Sequence, residues 1–470
     1  MSAEATPRRA GEGGVRVALP TVAYVGAVLP KRSETFVYRE VLGLRARGHG
    51  VVAASLRPAA AAEFHDDAAL RALAEEAVVA YGDGWAGRGL SEALRRPGRA
   101  ARAGWRLVTA GLVSRDLGLR GWTKLPAQWW GGLALASSLR GRNVGHLHAH
   151  MAHAPATVAM VAADALGVAF SFTGHAADLF RDRALLRAKL RRAAFVACIS
   201  EWHRGWYRQV EPALPDARLP VIRCGVNLDE FSPGDGAGRP AAGGVVVLAV
   251  GRLVAKKGFD VLLRAWAAWL SRHGYLRSAG VDQSDHPEQT YPEHPYDGST
   301  AQASGPMCVI MGDGPEGDTL RRLANDLDLG EHVSFTGAAN QEQVRVAMRD
   351  CDVFALPCRP ASDGDRDGIP VVMMEAMACG KPVVGGDLAA IRELLTDNSG
   401  ARRVEPGNEV MLEQALEELL GDADARAEAG RRGRMRVAEE FSDGVNLDRL
   451  EKELESVTHG SEPRGRSDHG

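Results

Sequence analysis

The sequence predicts an α/β fold made of two doubly wound halves, each with a parallel sheet. Two observations predict it: apolar strand-like runs alternate with helical segments over short loops, and the alternation restarts after the Gly- and Pro-rich stretch 234–244. A chain of 470 residues has room for two such domains, and its 45% hydrophobic and 25% charged residues are typical of globular proteins. Fibrous and wholly disordered classes are therefore excluded.

The first half opens with a strand, a helix and a second strand. We expect the strand at 16–28, a helix at 34–47 that ends with Gly48 as its left-handed residue, and the next strand at 51–54. The remaining elements follow in the same alternation: a strand that ends at 150, a helix at 154–166, and strands at 169–172, 195–199 and 220–223.

The second half starts with a continuous apolar run at 245–250, which is typical of a buried parallel strand. The segment after it has apolar residues at the spacing of one helix face: Phe259, Leu262, Leu263, Trp266 and Leu270. Further apolar runs predict strands at 307–311, 333–335, 353–356 and 382–384. The two halves therefore have similar size and the same kind of order.

These patterns also divide the chain into domains and connecting segments. The expected order is a disordered N-terminus at 1–15, a first domain at 16–225, a linker at 226–244, a second domain at 245–435, a helix at 436–456 and a disordered tail at 457–470. Residues 272–305 are polar and lack periodicity, which predicts a flexible insertion within the second domain. The helix at 436–456 is expected to pack back on the first domain.

Cysteine usage and the start of the chain indicate the compartment. The six cysteines form no C-x-x-C pair, so a reducing environment is the simplest expectation. The first fifteen residues lack the apolar core of a signal peptide, and no apolar run of about 18 residues follows. We therefore expect a cytoplasmic protein, or one bound peripherally to the inner face of the cell membrane.

The clearest chemical signal is the stretch DGIPVVMMEAMACGKPVV at 367–384. Pro370 suits the first turn of a helix, and the backbone N–H groups around it point to an anion; these residues are Gly368, Ile369, Pro370 and Val371. Asp367 precedes the helix and Glu375 lies within it, so two carboxylates accompany the amides. The arrangement suits a ligand with phosphates and hydroxyl groups.

This stretch resembles the helix of the retaining glycosyltransferases of family 4, which have the GT-B fold of two Rossmann-like domains facing a central cleft. The family has an E-x7-E pattern there, and Asp367 stands where its first Glu is usual. The resemblance implies that Asp367 contacts the donor sugar and that Glu375 holds the ribose hydroxyls. Both are therefore candidate catalytic or binding residues.

Other segments resemble the same family in the same chain order. Residues 250–258 are similar to its GR-x-KG loop, in which Arg252 and Lys257 would bind the donor pyrophosphate. The turn GDGP at 312–315 and the segment VSFTG at 333–337 are similar to loops beside the nucleotide. The resemblance therefore adds Gly312, Gly314 and Gly337 to the candidate donor-binding residues.

In the first half, the segment FSFTGHAADLF at 170–180 places His175 after a strand. By resemblance His175 is the cleft histidine near the donor sugar, and Asp178 orients it or binds a hydroxyl. The runs SETFV at 33–37 and HAHM at 148–151 are similar to the colanic-acid and exopolysaccharide type of these enzymes.

The resemblance, which covers roughly residues 20–450, implies transfer of a sugar from a UDP- or GDP-sugar to a saccharide or lipid-linked acceptor, with retention. It also implies that no metal or other cofactor is needed, because Arg and Lys supply the positive charge. Two alternatives stay open: an epimerase of the same fold, and a non-catalytic scaffold that binds nucleotide-sugars. The donor sugar, its base, the acceptor, the linkage and the oligomeric state are not specified.

Two groups of residues resemble metal sites. The run DGDRDG at 363–368 matches the start of a calcium loop, but the twelfth position is Met374 instead of a glutamate, so we prefer a solvated acidic loop. His146, His148 and His150 alternate along one strand, with His153 close behind, and could bind zinc. By resemblance to the family, His148 and His150 are strand-end residues near the cleft, so we expect no metal there.

The segment 85–142 is strongly basic within a chain whose net charge is −3. It has eleven Lys or Arg residues, two acids and five tryptophans, a net of +9. An anionic membrane surface is one partner that fits; a solvated helical face with tryptophans in the core is the other interpretation. Nucleic acid is not expected, because no binding motif accompanies the charge.

Overall fold

The structure is a computed structural model that describes residues 20–31, 34–61, 67–114, 117–175, 183–234, 244–276 and 305–459. The predicted disordered N-terminus, most of the predicted insertion at 272–305, most of the predicted tail at 457–470 and the candidate residue Asp178 lie outside these residues. The predicted domain boundaries stay predictions.

The first sheet has six strands in the order β3-β2-β1-β4-β5-β6, and every pair is parallel. The strands are β1 (Thr21–Val28), β2 (Val51–Arg57), β3 (Val78–Val79), β4 (Val144–His150), β5 (Ala169–Gly174) and β6 (Val196–Cys198). The helices described with them are α1 (Thr35–Ala46), α2 (Ala68–Glu76), α3 (Trp85–Arg95), α4 (Pro97–Val113), α5 (Leu119–Leu139), α6 (Ala154–Leu166), α7 (Leu186–Arg192) and α8 (Glu201–Val210).

The second sheet also has six parallel strands, in the order β12-β11-β10-β7-β8-β9. They are β7 (Val246–Val250), β8 (Met307–Met311), β9 (Val333–Phe335), β10 (Val353–Leu356), β11 (Val383–Gly386) and β12 (Arg402–Val404). The helices are α9 (Phe259–Arg272), α10 (Gly317–Asp326), α11 (Gln341–Asp350), α12 (Val371–Ala378), α13 (Glu409–Gly421), α14 (Ala423–Glu440) and α15 (Asp443–His459).

The two sheets have the same strand order when each is numbered from its own first strand. In each sheet that strand, β1 or β7, has one neighbour that follows it in the chain and another reached by a longer connection. Successive strands are thus added on one side of β1 up to β3, and on its other side from β4 onward; the second sheet has the same change of side between β7 and β10. In open parallel sheets, ligands bind beyond the carboxyl ends of the strands at such switch points.

Buried apolar residues explain why the predicted elements form. All five residues on the predicted helix face of α9, from Phe259 to Leu270, are at most 2% exposed. Strands β7 and β8 are buried along their whole length, as expected for a sheet covered by helices on both faces. The prediction of a strand at 220–223 is wrong: Val221 makes an isolated bridge to Cys198.

The end of the chain packs against the first half. Leu447, Leu450 and Leu454 of α15 share a buried cluster with Val37 and Val41 of α1. Arg47, which follows α1, forms ion pairs with Asp448 and Glu451 at 2.7 and 2.6 Å. In the part of the chain that the structure describes, no helix combines the length and the apolar character needed to cross a membrane.

Candidate functional site

Three loops meet at the carboxyl ends of β7, β8 and β9. The Gly251 N–H donates to the Met311 carbonyl at 3.0 Å, and the Gly312 N–H donates to the Gly337 carbonyl at 2.8 Å. Gly312 has a φ of +147°, and a Cβ there would lie 2.0 Å from the Gly251 carbonyl oxygen. A Cβ at Gly314 would lie 2.5 Å from the Leu253 carbonyl oxygen. These glycines therefore let the backbones of the three loops pack directly against one another, and we call this surface the backbone platform.

The switch point between β7 and β10 brings two predicted motifs into contact. Lys257, which follows β7, places its Nζ 2.8 Å from Oδ2 of Asp367, which precedes α12. Lys256 Nζ lies 3.3 Å from the other oxygen of the same carboxylate. Gly258 makes this approach possible, because a Cβ there would lie 2.2 Å from the Pro357 carbonyl oxygen. Two cations and one carboxylate therefore share the switch point.

The charges of this cluster stabilise one another. Burial alone would raise the pKa of Asp367, but the charges of Lys257 and Lys256 outweigh it and hold the pKa below its usual value. Burial opposes the charge of Lys257 as well, and Asp367 overcomes this and raises the pKa of the ammonium group. Both groups are therefore charged at neutral pH.

Helix α12 begins directly behind this cluster. Pro370 is its N-cap residue, and no side chain caps the helix. The positive end of the helix dipole therefore adds to the two lysines next to Asp367. The residues of this start, Gly368, Ile369 and Val371, are half-buried, whereas Arg252 lies exposed on the loop after β7.

Glu375 on α12 is buried and faces the first half of the molecule. Arg39 of α1 places Nη1 3.4 Å from Glu375 Oε1 and Nη2 3.5 Å from Glu230, and its guanidinium lies over the Phe231 ring. Burial raises the pKa of Glu375, and Arg39 opposes that rise in part. The carboxylate that the sequence places in the second half is thus held by a cation from the first.

His175 lies at the carboxyl end of β5, on the first-half side. Its ring is 8% exposed, packs 4.4 Å from the Phe36 ring between centroids, and has Nε2 3.3 Å from His150 Nδ1. Burial lowers the pKa of His175 well below its usual value, and nearby histidines lower it further. The ring is therefore neutral at pH 7.

Sequence reasoning missed three residues of α1: Phe36 beside His175, Arg39 beside Glu375 and Glu40 beside His150. The run at 33–37 indicated this helix by its resemblance, but no spacing in the sequence relates it to residues far along the chain. Lys257 thus contacts Asp367 directly. Glu375 and His175 each contact a residue of α1 instead.

The histidines of β4 lie side by side with the hydroxyls of β5. His148 contacts Ser171 Oγ at 2.7 Å and Thr173 Oγ1 at 2.9 Å, and His146 contacts Ser171 at 2.6 Å. The ligand atoms of Glu40, His148 and His150 lie within 4.8 Å of one another, a geometry that a metal could use. Hydrogen bonds to neighbouring side chains already account for both ring nitrogens of His148.

The acidic loop at 363–368 is also occupied by protein contacts. Lys256 Nζ lies 3.1 Å from Asp365, and the Asp363 carboxylate accepts a hydrogen bond from the Asp365 N–H at 3.0 Å. The prediction of a solvated acidic loop therefore needs refinement, because Asp365 and Asp367 bind the lysines of the loop after β7.

The tryptophans of the basic segment give support to both interpretations, a membrane-binding face and a helical face whose tryptophans pack inside. Trp129 and Trp130 donate to the carbonyl groups of Ala100 and Ala86, both at 3.1 Å, and hold α3, α4 and α5 together. Trp105 is 68% exposed. The large apolar residues that are exposed on this segment are Leu90, Leu94, Trp105, Val108, Leu112, Val113 and Leu119.

Comparison with protein families and curated proteins gives consistent results. Residues 297–436 match the family model described as glycosyl transferases group 1. A GDP-mannose-dependent alpha-(1-6)-phosphatidylinositol monomannoside mannosyltransferase of Mycolicibacterium smegmatis is 31% identical over 232 residues, 47% of this chain and 52% of that protein. The match thus spans about half the length of that relative.

Two exopolysaccharide proteins match over more of their length. The putative colanic acid biosynthesis glycosyltransferase WcaL of Escherichia coli is 29% identical over 57% of each chain. The amylovoran biosynthesis glycosyltransferase AmsK of Erwinia amylovora is 27% identical over 63% of this chain and 71% of that protein.

Solved structures show the same fold. Anabaena Alr3699/HepE in complex with UDP has a TM-score of 0.62 at 16% identity, over 93% of this chain and 100% of that one. Sucrose-phosphate synthase from Thermosynechococcus elongatus has a TM-score of 0.62 at 16% identity, over 94% and 100%. The expected GT-B architecture is therefore confirmed.

Proposed function

We propose that this chain is a group 1 glycosyl transferase that transfers a hexose from a nucleotide-sugar to an acceptor hydroxyl with retention of configuration. One observation carries the proposal. Lys257, on the loop that resembles a pyrophosphate-binding loop, contacts the carboxylate of Asp367 at the switch point of the second sheet. A fold of this kind binds its ligand at that point.

The leaving group explains why cations are needed there. When the bond from the sugar C1 to the diphosphate breaks, the diphosphate keeps the electron pair and its charge grows. Lys257, Arg252 and the start of α12 at Gly368–Val371 would stabilise that charge. A diphosphate also competes with Asp367 for Lys257, so the carboxylate can then accept hydrogen bonds from the sugar hydroxyls.

The other candidate residues take the remaining parts of the donor. The backbone platform of Gly312, Gly314 and Gly337 allows close approach of the nucleoside, and Glu375 would accept the ribose hydroxyls. His175 would contact the sugar from the first half, and Asp178 is proposed from the sequence alone as its partner or as a hydroxyl ligand.

The donor is proposed to be a UDP- or GDP-hexose, and the acceptor a saccharide or a lipid-linked saccharide. The named relatives support both classes, because one is a GDP-mannose-dependent phosphatidylinositol mannoside enzyme and others belong to polysaccharide biosynthesis. A solved structure of the same fold holds UDP.

An anionic membrane surface is proposed as a partner of the first half. Trp105, Val108 and Leu112 lie on one face of α4, and all are exposed. Beside them is a cavity of about 990 Å³ that is lined by Val113 and by four arginines: Arg106, Arg187, Arg191 and Arg192. Apolar residues that enter the lipid interface next to cations for its phosphates suit such a surface.

Buried carboxylates hold the arginines of that cavity in place. Arg106 and Arg192 each lie 2.8 Å from Asp164, and Arg191 lies 2.7 Å from Glu211. Both carboxylates are at most 7% exposed, so the guanidinium groups form the accessible edge of the cavity. Four cations over two acids leave a positive surface, consistent with an anionic partner.

A turnover assay tests the activity and separates it from the alternatives. Purified protein with UDP- or GDP-hexoses should release nucleoside diphosphate slowly by hydrolysis, and faster when a saccharide acceptor is added. Lys257→Ala should lower this rate by about two orders of magnitude, as for loss of a group that stabilises developing charge. Lys452→Ala, which removes an exposed lysine of α15, is the matched control.

The products decide between the alternatives. Conversion of the sugar nucleotide to an isomer without any acceptor would indicate an epimerase. Binding of a nucleotide-sugar without release of diphosphate under any acceptor condition would indicate the scaffold. Either result would contradict glycosyl transfer.

A further inference from the structure

A continuous series of side-chain contacts leads from Glu40 of α1, which is half-buried, through buried His150 to His175. His150 Nε2 lies 3.0 Å from Glu40 Oε2, and His150 Nδ1 lies 3.3 Å from His175 Nε2. We infer that Glu40 and His150 are positioning residues that fix the orientation and the tautomer of His175. This inference rests on the proposed function, in which His175 contacts the donor sugar.

Neighbouring elements place the three side chains. His150 ends β4 and pairs in register with Thr173 of β5, two residues before His175. Glu40 lies on α1, and its carboxylate also accepts a hydrogen bond from the Tyr24 hydroxyl of β1 at 3.3 Å. His150 and His175 therefore lie at the carboxyl ends of β4 and β5, next to the switch point between β1 and β4 in the first sheet.

Ring packing restricts how the two histidines can turn. The rings of His150 and His175 stack with centroids 5.6 Å apart at 26°, and Phe36 packs against His175 at 4.4 Å. Tyr24 also stacks on His150, with centroids 5.7 Å apart at 26°. His150 is 1% exposed and His175 is 8% exposed, so solvent does not compete for the nitrogens that face each other.

The carboxylate sets the direction of the hydrogen bonds. A carboxylate only accepts, so His150 donates its Nε2–H to Glu40, and in that tautomer of an uncharged imidazole the lone pair is on Nδ1. His175 Nε2 must then carry the proton that it donates to His150 Nδ1. Because burial and the neighbouring histidines keep the pKa of His175 well below its usual value, its Nδ1 is a hydrogen-bond acceptor at pH 7.

The variant Glu40→Gln tests the hydrogen-bond series from Glu40 through His150 to His175, because it removes the negative charge of Glu40 at nearly constant volume. The first readout is 15N NMR of the ring nitrogens in histidine-labelled protein, with the His175 signals assigned from His175→Gln. The wild-type chain should show His175 protonated on Nε2. The variant should show a mixture of tautomers, because an amide can donate to His150 as well as accept.

The second readout is turnover. Glu40→Gln should lower kcat by about 10–100-fold, the same order as the loss of a carboxylate that orients a metal-bound histidine, with little change in the KM of the donor. Tyr24→Phe removes the other hydrogen bond of Glu40 and keeps its charge, so it should preserve the tautomer and lower kcat less. Glu75→Gln, an exposed residue of α2, is the matched control.

The inference is overturned if wild-type His175 carries its proton on Nδ1, or if Glu40→Gln changes neither the tautomer nor kcat. The NMR measurement on the wild-type chain does not depend on how Glu40→Gln folds. The NMR measurement does not require turnover either. A wrong tautomer of His175 is therefore distinguishable from an absence of glycosyl transfer.

Discussion

Asp367 is one methylene shorter than the first glutamate of the E-x7-E pattern that this stretch resembles, and its surroundings keep it charged. Lys257 and Lys256 contact its two oxygens at 2.8 and 3.3 Å. The Cys358 thiol adds a hydrogen bond at 3.4 Å. The shorter side chain is therefore anchored, ionised and directed at the start of α12.

Removing this charge should have a pH-dependent cost in stability. The pKa of Asp367 is lower in the folded chain than in the unfolded one, so its contribution is present above the unfolded pKa of about 3.9 and is lost as the pH falls through the folded pKa. Asp367→Asn should therefore lower the free energy of unfolding by about 1.5–3 kcal/mol at pH 7, and by much less at an acidic pH below the folded pKa of Asp367.

Chemical denaturation at the two pH values measures this difference. Asp318→Asn, whose side chain is 95% exposed, is the control and should change stability little at either pH. An Asp367→Asn penalty as large at the low pH as at pH 7 would show that charge is not what the lysines stabilise.

Single residues also show the limit of sequence reasoning. Asp367 could be singled out from the residues around the start of α12, whereas Lys257 and the glycines were singled out because their loops resemble those of a known family, and their roles stay predictions. Arg39 and Glu40 could not, because their partners Glu375 and His150 lie far away in the chain and only the packing of α1 brings them close.

Elements with a continuous apolar pattern were predictable, whereas the edge strands β3 and β12 were not. Strands β7, β8 and β10 follow apolar runs that the structure buries completely. Strands β3 and β12 have only two and three residues, and their pairing depends on the neighbouring strand more than on their own sequence. The strand expected at 220–223 failed for the same reason.

Helix α4 is the element on which the membrane proposal depends. Its tryptophan Trp105 and its last residues Leu112 and Val113 are 68%, 72% and 69% exposed. The double variant Leu112→Ser and Val113→Ser should weaken binding to vesicles of phosphatidylglycerol and phosphatidylcholine by about tenfold or more, since each buried apolar side chain contributes about 1.5–3 kcal/mol.

Vesicle co-sedimentation at low and high salt measures the effect. Binding of the wild-type chain should also fall with added salt, because the arginines act through charge. Val410→Ser, at a 61% exposed position of the second half, is the matched control. Equal binding of the wild-type chain to vesicles with and without anionic lipid would contradict the proposal.

The whole molecule is held together by contacts between its halves. Glu393 of the second half accepts hydrogen bonds from the N–H groups of Glu201 and Trp202 at the start of α8, and pairs with Arg223 at 3.2 Å. Helix α15 adds the apolar contact with α1. The candidate residues of both halves therefore face one another across a joined structure.

At this scale the net charge of −3 conceals an uneven distribution. The segment 85–142 alone has a net of +9, and it lies entirely in the first half. The proposed acceptor side is thus basic, while the proposed donor side has its cations concentrated around Asp367. Average composition could not reveal this division; motif order and the two sheets do.

Ligand-dependent thermal stability tests the central proposal most directly. A panel of UDP-, GDP- and ADP-sugars should raise the Tm of the wild-type chain for one nucleotide class, because a ligand that binds only the folded state stabilises it by about 2.7 kcal/mol at a hundredfold excess over Kd. Lys257→Ala should lose most of that shift, and Lys452→Ala should keep it. No shift with any nucleotide-sugar, or an equal shift in Lys257→Ala, would contradict the proposed donor site.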